Sequence, residues 1–209
     1  MAIVTPVGAG VVSLGLGTTS APSSLGGYDM VPFADAGALG DRVSEVAVPA
    51  AASVTGSVSF DVALEHHRVG NGWDTWSHAY DGDVYWLDEV VDGNRLTLTL
   101  PAGTRAFYLY VEPDFFGPAG FTVGSGSTTS SVQIQGDGGA SGFGFFTDDP
   151  AVDLTSIFVE KNGADFSNGF AVGQFGINGT GTIPEGSGGL VMLGMGIAGL
   201  WGLRRRTRG

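Results

Sequence analysis

Apolar and polar side chains alternate with a period of two over several short stretches of the chain. Residues 57–65 show this pattern first. It recurs at 95–100 and, after the turn-forming stretch 101–103, at 106–112. Because successive side chains of a β-strand point to opposite faces, the first stretch predicts a half-buried strand and the other two a β-hairpin. The predicted inward positions are Val58, Phe60, Val62, Leu64, Leu96, Leu98, Leu100, Phe107, Leu109 and Val111, with Tyr108 and Tyr110 on the opposite face.

Further short apolar stretches lie between glycine-rich turns, and before the C-terminal tail no window sustains a capped helical pattern. Eight or nine short strands with regularly spaced turns favour an all-β fold. We therefore predict an antiparallel β-sandwich, jelly-roll-like, that is closed by residue 178. The additional predicted strands lie at 83–87, 120–123, 131–135, 142–146, 156–160 and 170–177.

The C-terminal pattern is different, because residues 188–203 contain no charged side chain. As a helix this run would be about 24 Å long, somewhat shorter than the ~30 Å hydrocarbon core of a bilayer. It predicts a single transmembrane helix, with a buried core helix of the same length as the alternative. The predicted stop and orientation residues are Trp201, at the interface, and Arg204, Arg205, Arg206 and Arg208, on the cytoplasmic side.

These patterns divide the chain into five predicted segments. The first has no basic start and a weak apolar stretch broken by Pro6, which indicates a weak or truncated signal segment. The segments are the leader at 1–25, the β-sandwich ectodomain at 26–178, a linker with a Pro-Glu motif at 179–187, the transmembrane helix at 188–203 and a basic cytoplasmic tail at 204–209. The ectodomain would therefore lie outside the cytoplasmic membrane.

The charge distribution restricts the possible partners. The formal net charge is −12, and all 21 acidic residues lie at or before Glu185. Up to residue 183 there are 20 acidic and five basic residues, a net charge of about −15. A domain of this charge repels phosphates, which excludes nucleic-acid binding. The chain has no cysteine, so neither disulfides nor thiol chemistry are available.

Pro184-Glu185, the apolar run and the terminal arginine cluster together resemble the PEP-CTERM sorting signal of exported bacterial proteins. In that family a Pro-Glu-Pro motif precedes one transmembrane helix and a basic tail; the third motif position here is Gly186. The resemblance implies a membrane-inserted precursor that an exosortase, a membrane protease or transpeptidase, recognises at Pro184, Glu185 and Gly186. It also implies a mature form at the cell surface or outside the cell.

Three stretches of the predicted ectodomain, 98–113, 142–147 and 170–177, are similar to ectodomains often attached to this same tail. Those ectodomains have no assigned chemistry. The resemblance therefore implies a fold and a location, and no activity.

Residues 71–87 contain three of the four tryptophans and two tyrosines. Aromatic faces beside Asp and His suit a sugar ring, because they offer an apolar platform to its C–H face and acceptors to its hydroxyls. The alternative is that these rings plug one end of the sandwich, buried against residues such as Phe60 or Leu98. The candidate platform consists of Trp73, Trp76, Tyr80, Tyr85 and Trp86.

The histidines and the acidic loops contain side chains that commonly bind metal ions. His66 and His67 are adjacent, so on a strand they point to opposite faces and cannot both ligate one ion without a bulge. Carboxylate oxygens suit Ca²⁺, although no spacing here matches an EF-hand loop. The candidate calcium ligands are Asp81, Asp83, Asp148, Asp149 and Asp153.

A glycosidase would need two carboxylates facing one cleft, and Glu112 and Asp114 are the best pair for that role. Acids at strand ends are usually solvated turn residues, and no nucleophile elbow, P-loop or dinucleotide motif occurs. We therefore predict a non-enzymatic envelope protein without a required cofactor, structural or adhesive in the cell surface or exopolysaccharide. A carbohydrate-binding module that uses the 73–86 aromatics is the first alternative, and a metal-dependent hydrolase the second.

Overall fold

The structure is a computed structural model that describes residues 10–36, 44–49, 54–149, 151–163 and 169–178. Within these ranges the chain is all-β, and no helix has the length and apolar character needed to cross a membrane. The predicted sorting motif, transmembrane helix and basic tail lie outside the described residues, as does the linker. Those predictions therefore rest on the sequence.

Fourteen strands, one short α-helix, α1 (Glu89–Asp92), and two single 3-10 turns are present in the described part of the chain. The strands are β1 (Val11–Gly17), β2 (Ser24–Leu25), β3 (Tyr28–Pro32), β4 (Ser44–Pro49), β5 (Ser57–Val69), β6 (Gly72–Trp73), β7 (Asp83–Asp88), β8 (Arg95–Thr99), β9 (Ala106–Pro113), β10 (Pro118–Ser125), β11 (Thr128–Gln135), β12 (Ser141–Thr147), β13 (Ser156–Asn162) and β14 (Gly169–Asn178).

The strands form one twisted, mostly antiparallel sheet that folds into two layers. One layer has the order β1-β12-β9-β14-β7 and the other the order β8-β13-β10-β11. Strand β5 belongs to both layers, because its residues 59–60 pair with β8 and its residues 65–67 with β7. The free edges return to each other where Thr128 Oγ1 donates a hydrogen bond of 3.1 Å to the Val11 carbonyl. The result is a nearly closed sandwich.

The predicted alternation is confirmed in the core between the two layers. Phe107, Leu109 and Val111 of β9 are buried there opposite residues such as Leu96 and Leu98 of β8. The inward positions of β5 are also buried, apart from the half-buried Val62. All nine strands predicted from alternating or short apolar stretches are present, some of them longer than predicted.

The outer face of β9 differs from a simple half-buried strand, because it is covered by a second apolar cluster. Tyr108 and Tyr110 are buried there against Leu25, Tyr28 and Met30. The Tyr110 hydroxyl donates a hydrogen bond of 2.6 Å to the Thr19 carbonyl. Residues 10–36 thus form a cover over one face of the sandwich.

Part of the predicted leader contributes to the sheet. Strand β1 pairs antiparallel with β12 from Val11 to Gly17, and β3 pairs with β14. The sheet therefore begins upstream of residue 26, where the sequence analysis placed the start of the ectodomain. Glycines interrupt the apolar pattern of this segment, yet residues 11–15 and Gly17 pair with β12, with a register shift between Gly15 and Gly17.

Candidate functional site

The connection from β5 to β7 carries most of the candidate aromatics across the outer face of the β9-containing layer. Its first part, β6, lies parallel to the end of β5, with Val69 opposite Trp73. The Trp73 indole donates a hydrogen bond of 2.9 Å to Glu112 Oε2, and the Thr75 hydroxyl donates one of 2.6 Å to Glu112 Oε1. One carboxylate on β9 therefore fixes both side chains.

Glu112 is only 1% exposed, which is unusual for a carboxylate. Burial raises the pKa of Glu112 to about 7, and the hydrogen bonds from Thr75 and Trp73 offset only part of that effect. Both of its oxygens are occupied by the loop above it. Glu112 is therefore a positioning group for Trp73 and Thr75.

A second tryptophan and a second carboxylate lie beside the first pair. The Trp86 indole donates a hydrogen bond of 3.1 Å to Asp114 Oδ2. The His67 ring lies edge-on to both indoles, with centroid distances of 6.3 Å to Trp73 and 6.1 Å to Trp86. Two indoles, one imidazole and two carboxylates thus form one continuous cluster on this face.

An open cleft of about 250 Å³ lies next to this cluster. Trp73 forms part of its wall, and Phe116, which is 64% exposed, lies at its opening. Asp74, Thr75 and Asp114 supply polar atoms. The cleft combines aromatic faces with acceptors and a hydroxyl, and its volume suits one sugar ring of a longer chain rather than a large cofactor.

The remaining predicted platform residues are not brought into this cleft. Trp76 Nε1 donates a hydrogen bond of 3.0 Å to Gln174 Oε1, and the His78 ring bonds the same amide. Tyr80 lies beside Trp76, with ring centroids 5.9 Å apart. These side chains are half-buried and are held by β14.

Tyr85 is buried in the sandwich core, as the alternative to an exposed platform predicted. Its ring stacks on Phe175, with centroids 5.8 Å apart and planes at 15°, and lies 5.6 Å from Phe60. It therefore belongs to the core. Of the five predicted platform residues, the structure places Trp73 in the cleft wall, and Trp86 contacts the same His67 ring as Trp73 without lining the cleft.

Three residues with left-handed backbone conformation meet around Gln174. His78 has a φ of 45°, Ala79 of 58° and Gln174 of 49°, and none of them is a glycine. Gln174 lies where the pairing of β14 with β9 shifts register between Gly173 and Gly176. Backbone strain of this kind is maintained only where the surroundings fix it. Here it aims the Gln174 amide at Trp76 and His78.

The candidate calcium ligands are not brought together. Asp148 accepts a hydrogen bond from the backbone of Gly10, Asp149 accepts one from Ala151, and Asp153 pairs with Arg105 at 2.8 Å. Asp83 is buried beside His66, whereas Asp81 is exposed. In the described ranges no three His, Asp or Glu side chains converge as a metal site would require.

Several residues of the cleft are not among the candidates predicted from the sequence. Phe115, Phe116 and Thr75 line it, and Glu112 was considered only as a catalytic acid. The signal for the two phenylalanines was their position in the turn directly after β9, since two adjacent large apolar residues in a turn cannot both be buried easily.

Comparison with protein-family models and with curated proteins gives no match. Among solved structures, the chain resembles TmCBM61 in complex with β-1,4-galactotriose at 14% identity and a TM-score of 0.18. The likeness covers 56% of this chain and 86% of that one. At this level it establishes neither a fold nor a ligand for this chain.

Proposed function

We propose that the protein is a non-catalytic, polysaccharide-binding β-sandwich of a bacterial cell envelope or its exopolysaccharide matrix. The single observation that carries the binding part is the cleft in which Trp73 is fixed by buried Glu112 and faces polar side chains next to exposed Phe116. Its precursor would have a jelly-roll-like domain followed by one C-terminal transmembrane helix.

The cleft chemistry supports a sugar ligand. An aromatic ring offers its face to the axial C–H groups of a pyranose, while carboxylate and hydroxyl oxygens bond its hydroxyls. Asp74 and Asp114 are the carboxylates that line the cleft, in a domain that is strongly acidic. Neutral or amino sugars are therefore favoured over uronic acids, which the same carboxylates would repel.

The position of Glu112 supports binding over hydrolysis. A glycosidase needs an acid and a second carboxylate that both reach the scissile bond. Glu112 is buried, and its two oxygens accept hydrogen bonds from Trp73 and Thr75. Asp114 accepts a hydrogen bond from Trp86. Both carboxylates considered for a glycosidase thus accept hydrogen bonds from indoles.

The location is supported by the sequence after residue 183. Pro184, Glu185 and Gly186 would form the sorting motif for an exosortase-type enzyme, and the charge-free run 188–203 would anchor the precursor. The basic tail would stay in the cytoplasm, and the acidic domain would face the polysaccharide outside. A surface location and a sugar-binding cleft agree with each other functionally.

The binding proposal is tested with oligomers of neutral hexoses, amino sugars and uronic acids, titrated calorimetrically into the full-length protein and its Phe116→Ala variant. Phe116 is exposed, so its removal should leave the fold intact while it weakens binding of the best neutral or amino-sugar oligomer by about tenfold. The control is Val90→Ala, another exposed apolar side chain, on α1. Equal affinities for Phe116→Ala and the unaltered protein, or no oligomer bound at all, would contradict the proposal.

A further inference from the structure

A second, smaller cavity of about 120 Å³ shares no lining residue with the cleft. It lies between the segment that follows β3, the start of β7 and the bulge of β14. Its walls are mainly aromatic. The rings that line it are those of Phe33, Tyr80, Tyr85, Tyr108 and Phe175.

Two carboxylates face the same cavity. Asp83 is 4% exposed, and its Oδ2 accepts a hydrogen bond of 2.5 Å from the backbone of Ala36. Its Oδ1 has no hydrogen bond with any described residue and lies 3.2 Å from His66 Nε2. Asp35 lies at the edge of the cavity, with its side chain 38% exposed.

The positive charge beside these carboxylates is partly exposed to solvent. Arg68 Nη2 lies 3.1 Å from Asp35 Oδ2, but its Nη1 lies 3.8 Å from Asp83 Oδ1, and the guanidinium side chain is 36% exposed. One exposed cation therefore faces two carboxylates, of which one is buried. The formal charges of these three side chains sum to −1, which favours a cation over an anion in the cavity.

The hydroxyls of Tyr80 and Tyr85 are affected by the same two carboxylates. Burial raises the pKa of Tyr80 far above its ordinary value, and the charges of Asp35 and Asp83 raise it further. The pKa of Tyr85 is raised by burial and then by Asp83. Both hydroxyls therefore stay protonated at physiological pH, and both rings line the cavity together with the buried carboxylate.

We propose that this cavity binds a small organic ammonium group, methylated or quaternary. A cation over the face of an aromatic ring is attracted by the ring quadrupole, and desolvation strengthens the attraction. Tyr85 and Phe175 are stacked on other rings, so Phe33, Tyr80 and Tyr108 are the rings that would receive the cation. Asp83 and Asp35 would balance its charge. The carboxylates would repel an anion. A metal ion such as Ca²⁺ needs six to eight oxygen ligands, and the mainly aromatic walls offer too few. The volume is about that of four waters at ~30 Å³ each, enough for a compact ammonium head group.

The direct probes are tetramethylammonium and choline, titrated into the full-length protein and followed by calorimetry. The neutral probe is 3,3-dimethylbutan-1-ol, which has the shape of choline without its charge. We expect both cations to bind with one-to-one stoichiometry and the neutral alcohol at least tenfold more weakly. Equal binding of the alcohol and choline would overturn the proposal, and so would the absence of cation binding.

Two charge-removing variants locate the site. Asp35→Asn removes the carboxylate at the cavity edge, and we expect it to weaken choline binding about tenfold. Asp81→Asn removes an equal charge from an exposed loop position two residues before Asp83 and serves as the matched control, with unchanged affinity expected. Equal losses in both variants would indicate attraction to an acidic surface and overturn the proposal, as would unchanged affinity in Asp35→Asn.

A third variant separates cation binding in the cavity from sugar binding in the cleft, and its folding is checked separately. Tyr80→Leu removes a half-buried ring from the wall, and thermal unfolding shows whether the variant is folded. We expect weaker choline binding with oligosaccharide binding retained, whereas Phe116→Ala should show the reverse. Loss of choline binding in folded Phe116→Ala, with no loss in folded Tyr80→Leu, would place the cation in the cleft and overturn the cavity assignment.

Discussion

Glu112 is the residue on which the geometry of the candidate site depends. It is a buried carboxylate at the end of β9, and its neighbours across space are 39 and 37 positions earlier in the chain, at Trp73 and Thr75. Hydrogen bonds from Trp73 and Thr75 satisfy the two buried oxygens of this side chain, which would otherwise be unpaired at a cost in free energy. Burial of this acid costs free energy, and in return its two oxygens fix the orientation of the Trp73 indole and the Thr75 hydroxyl.

The pKa of Glu112 predicts a pH-dependent stability. The folded state raises this pKa to about 7 from an ordinary value of 4.5, so the folded protein binds the proton more tightly than the unfolded chain. Proton binding at Glu112 therefore contributes up to about 3 kcal/mol to the free energy of unfolding. This contribution is fully present below about pH 4.5 and is lost as the pH rises through 7. Urea denaturation between pH 4.5 and 8 measures this slope.

Glu112→Gln is the control for that experiment, because glutamine keeps the shape and an acceptor oxygen but has no titrating proton. The difference in unfolding free energy between the variant and the unaltered protein should change between pH 4.5 and 7 and then remain constant. Parallel stability profiles for the two proteins over the whole range would show that Glu112 does not titrate as its burial implies.

Trp73 gives a second prediction at the residue scale. Trp73→Phe keeps a ring in the cleft wall but removes the indole N–H, which leaves Glu112 Oε2 without that donor. We expect a loss of about 1–3 kcal/mol in unfolding free energy and weaker oligosaccharide binding. Trp86→Phe removes a similar bond from the less buried Asp114 and should cost less. Urea denaturation at pH 7 ranks them, and a smaller loss for Trp73→Phe would contradict the account.

At the scale of elements, the bulge of β14 connects the sheet to the loop that carries the aromatics. Gln174 has a left-handed backbone, and its amide bonds both Trp76 and His78. An ordinary β residue at this position would leave the loop without these contacts. The bulge therefore sets the position of residues 76–80 over the sheet.

A pair of substitutions separates the two effects of Gln174. Gln174→Ala and Gln174→Gly both remove the amide, but only glycine adopts a φ of 49° without strain. We expect both variants to be destabilised, and Gln174→Ala to be about 1 kcal/mol less stable than Gln174→Gly. Thermal or urea unfolding provides the comparison. Equal stability, or a more stable alanine variant, would show that the left-handed conformation is not maintained.

The strands of the two layers could be predicted from the sequence, because period-two alternation is a local signal. Stretch 95–100 displays it directly, and β8 lies there. The pairing order could not be predicted, since β5 joins β7 and β8 through contacts that no local pattern encodes. Strand β1 was missed because its glycine-rich sequence resembles a signal segment, and its pairing with β12 is long-range.

The candidate site was predictable only in part, for a similar reason. Trp73 was found because tryptophans cluster in the sequence, but the cluster says nothing about which ring faces solvent. Tyr85 alternates with its neighbours on β7 and points into the core, whereas Trp86 points outward. The separation of the rings into cleft wall and core plug follows from strand parity, which a single list of aromatics does not show.

At the scale of the whole molecule, charge is distributed unevenly along the sequence: all acidic residues lie at or before Glu185, and an arginine cluster follows residue 203. The described domain presents carboxylates around both the cleft and the smaller cavity. Such a surface favours neutral or cationic partners and disfavours polyanions. The arginine cluster after residue 203 would keep the other end of the precursor at the cytoplasmic side.

The proposed location predicts how a truncated chain distributes in cells. Deletion of residues 184–209 removes the proposed sorting motif, the apolar run and the arginines together. We expect the full chain in the envelope or processed at the surface, and the truncated chain in a different fraction. Immunoblots of the supernatant and the envelope measure this, and a tail with its four arginines changed to glutamine is the control for orientation. Identical distribution of full and truncated chains would contradict the sorting proposal.

The central claim, that a sugar lies against Trp73 in the cleft, is tested most directly by mapping amide chemical shifts of the full-length protein during titration with the tightest-binding oligosaccharide. The account predicts shifts confined to residues around Gly72–Thr75, Asp114–Phe116 and Gly136, which line the cleft, and the loss of those shifts in Phe116→Ala. Saturable shifts centred elsewhere on the sandwich, or no shifts at saturating sugar, would contradict it.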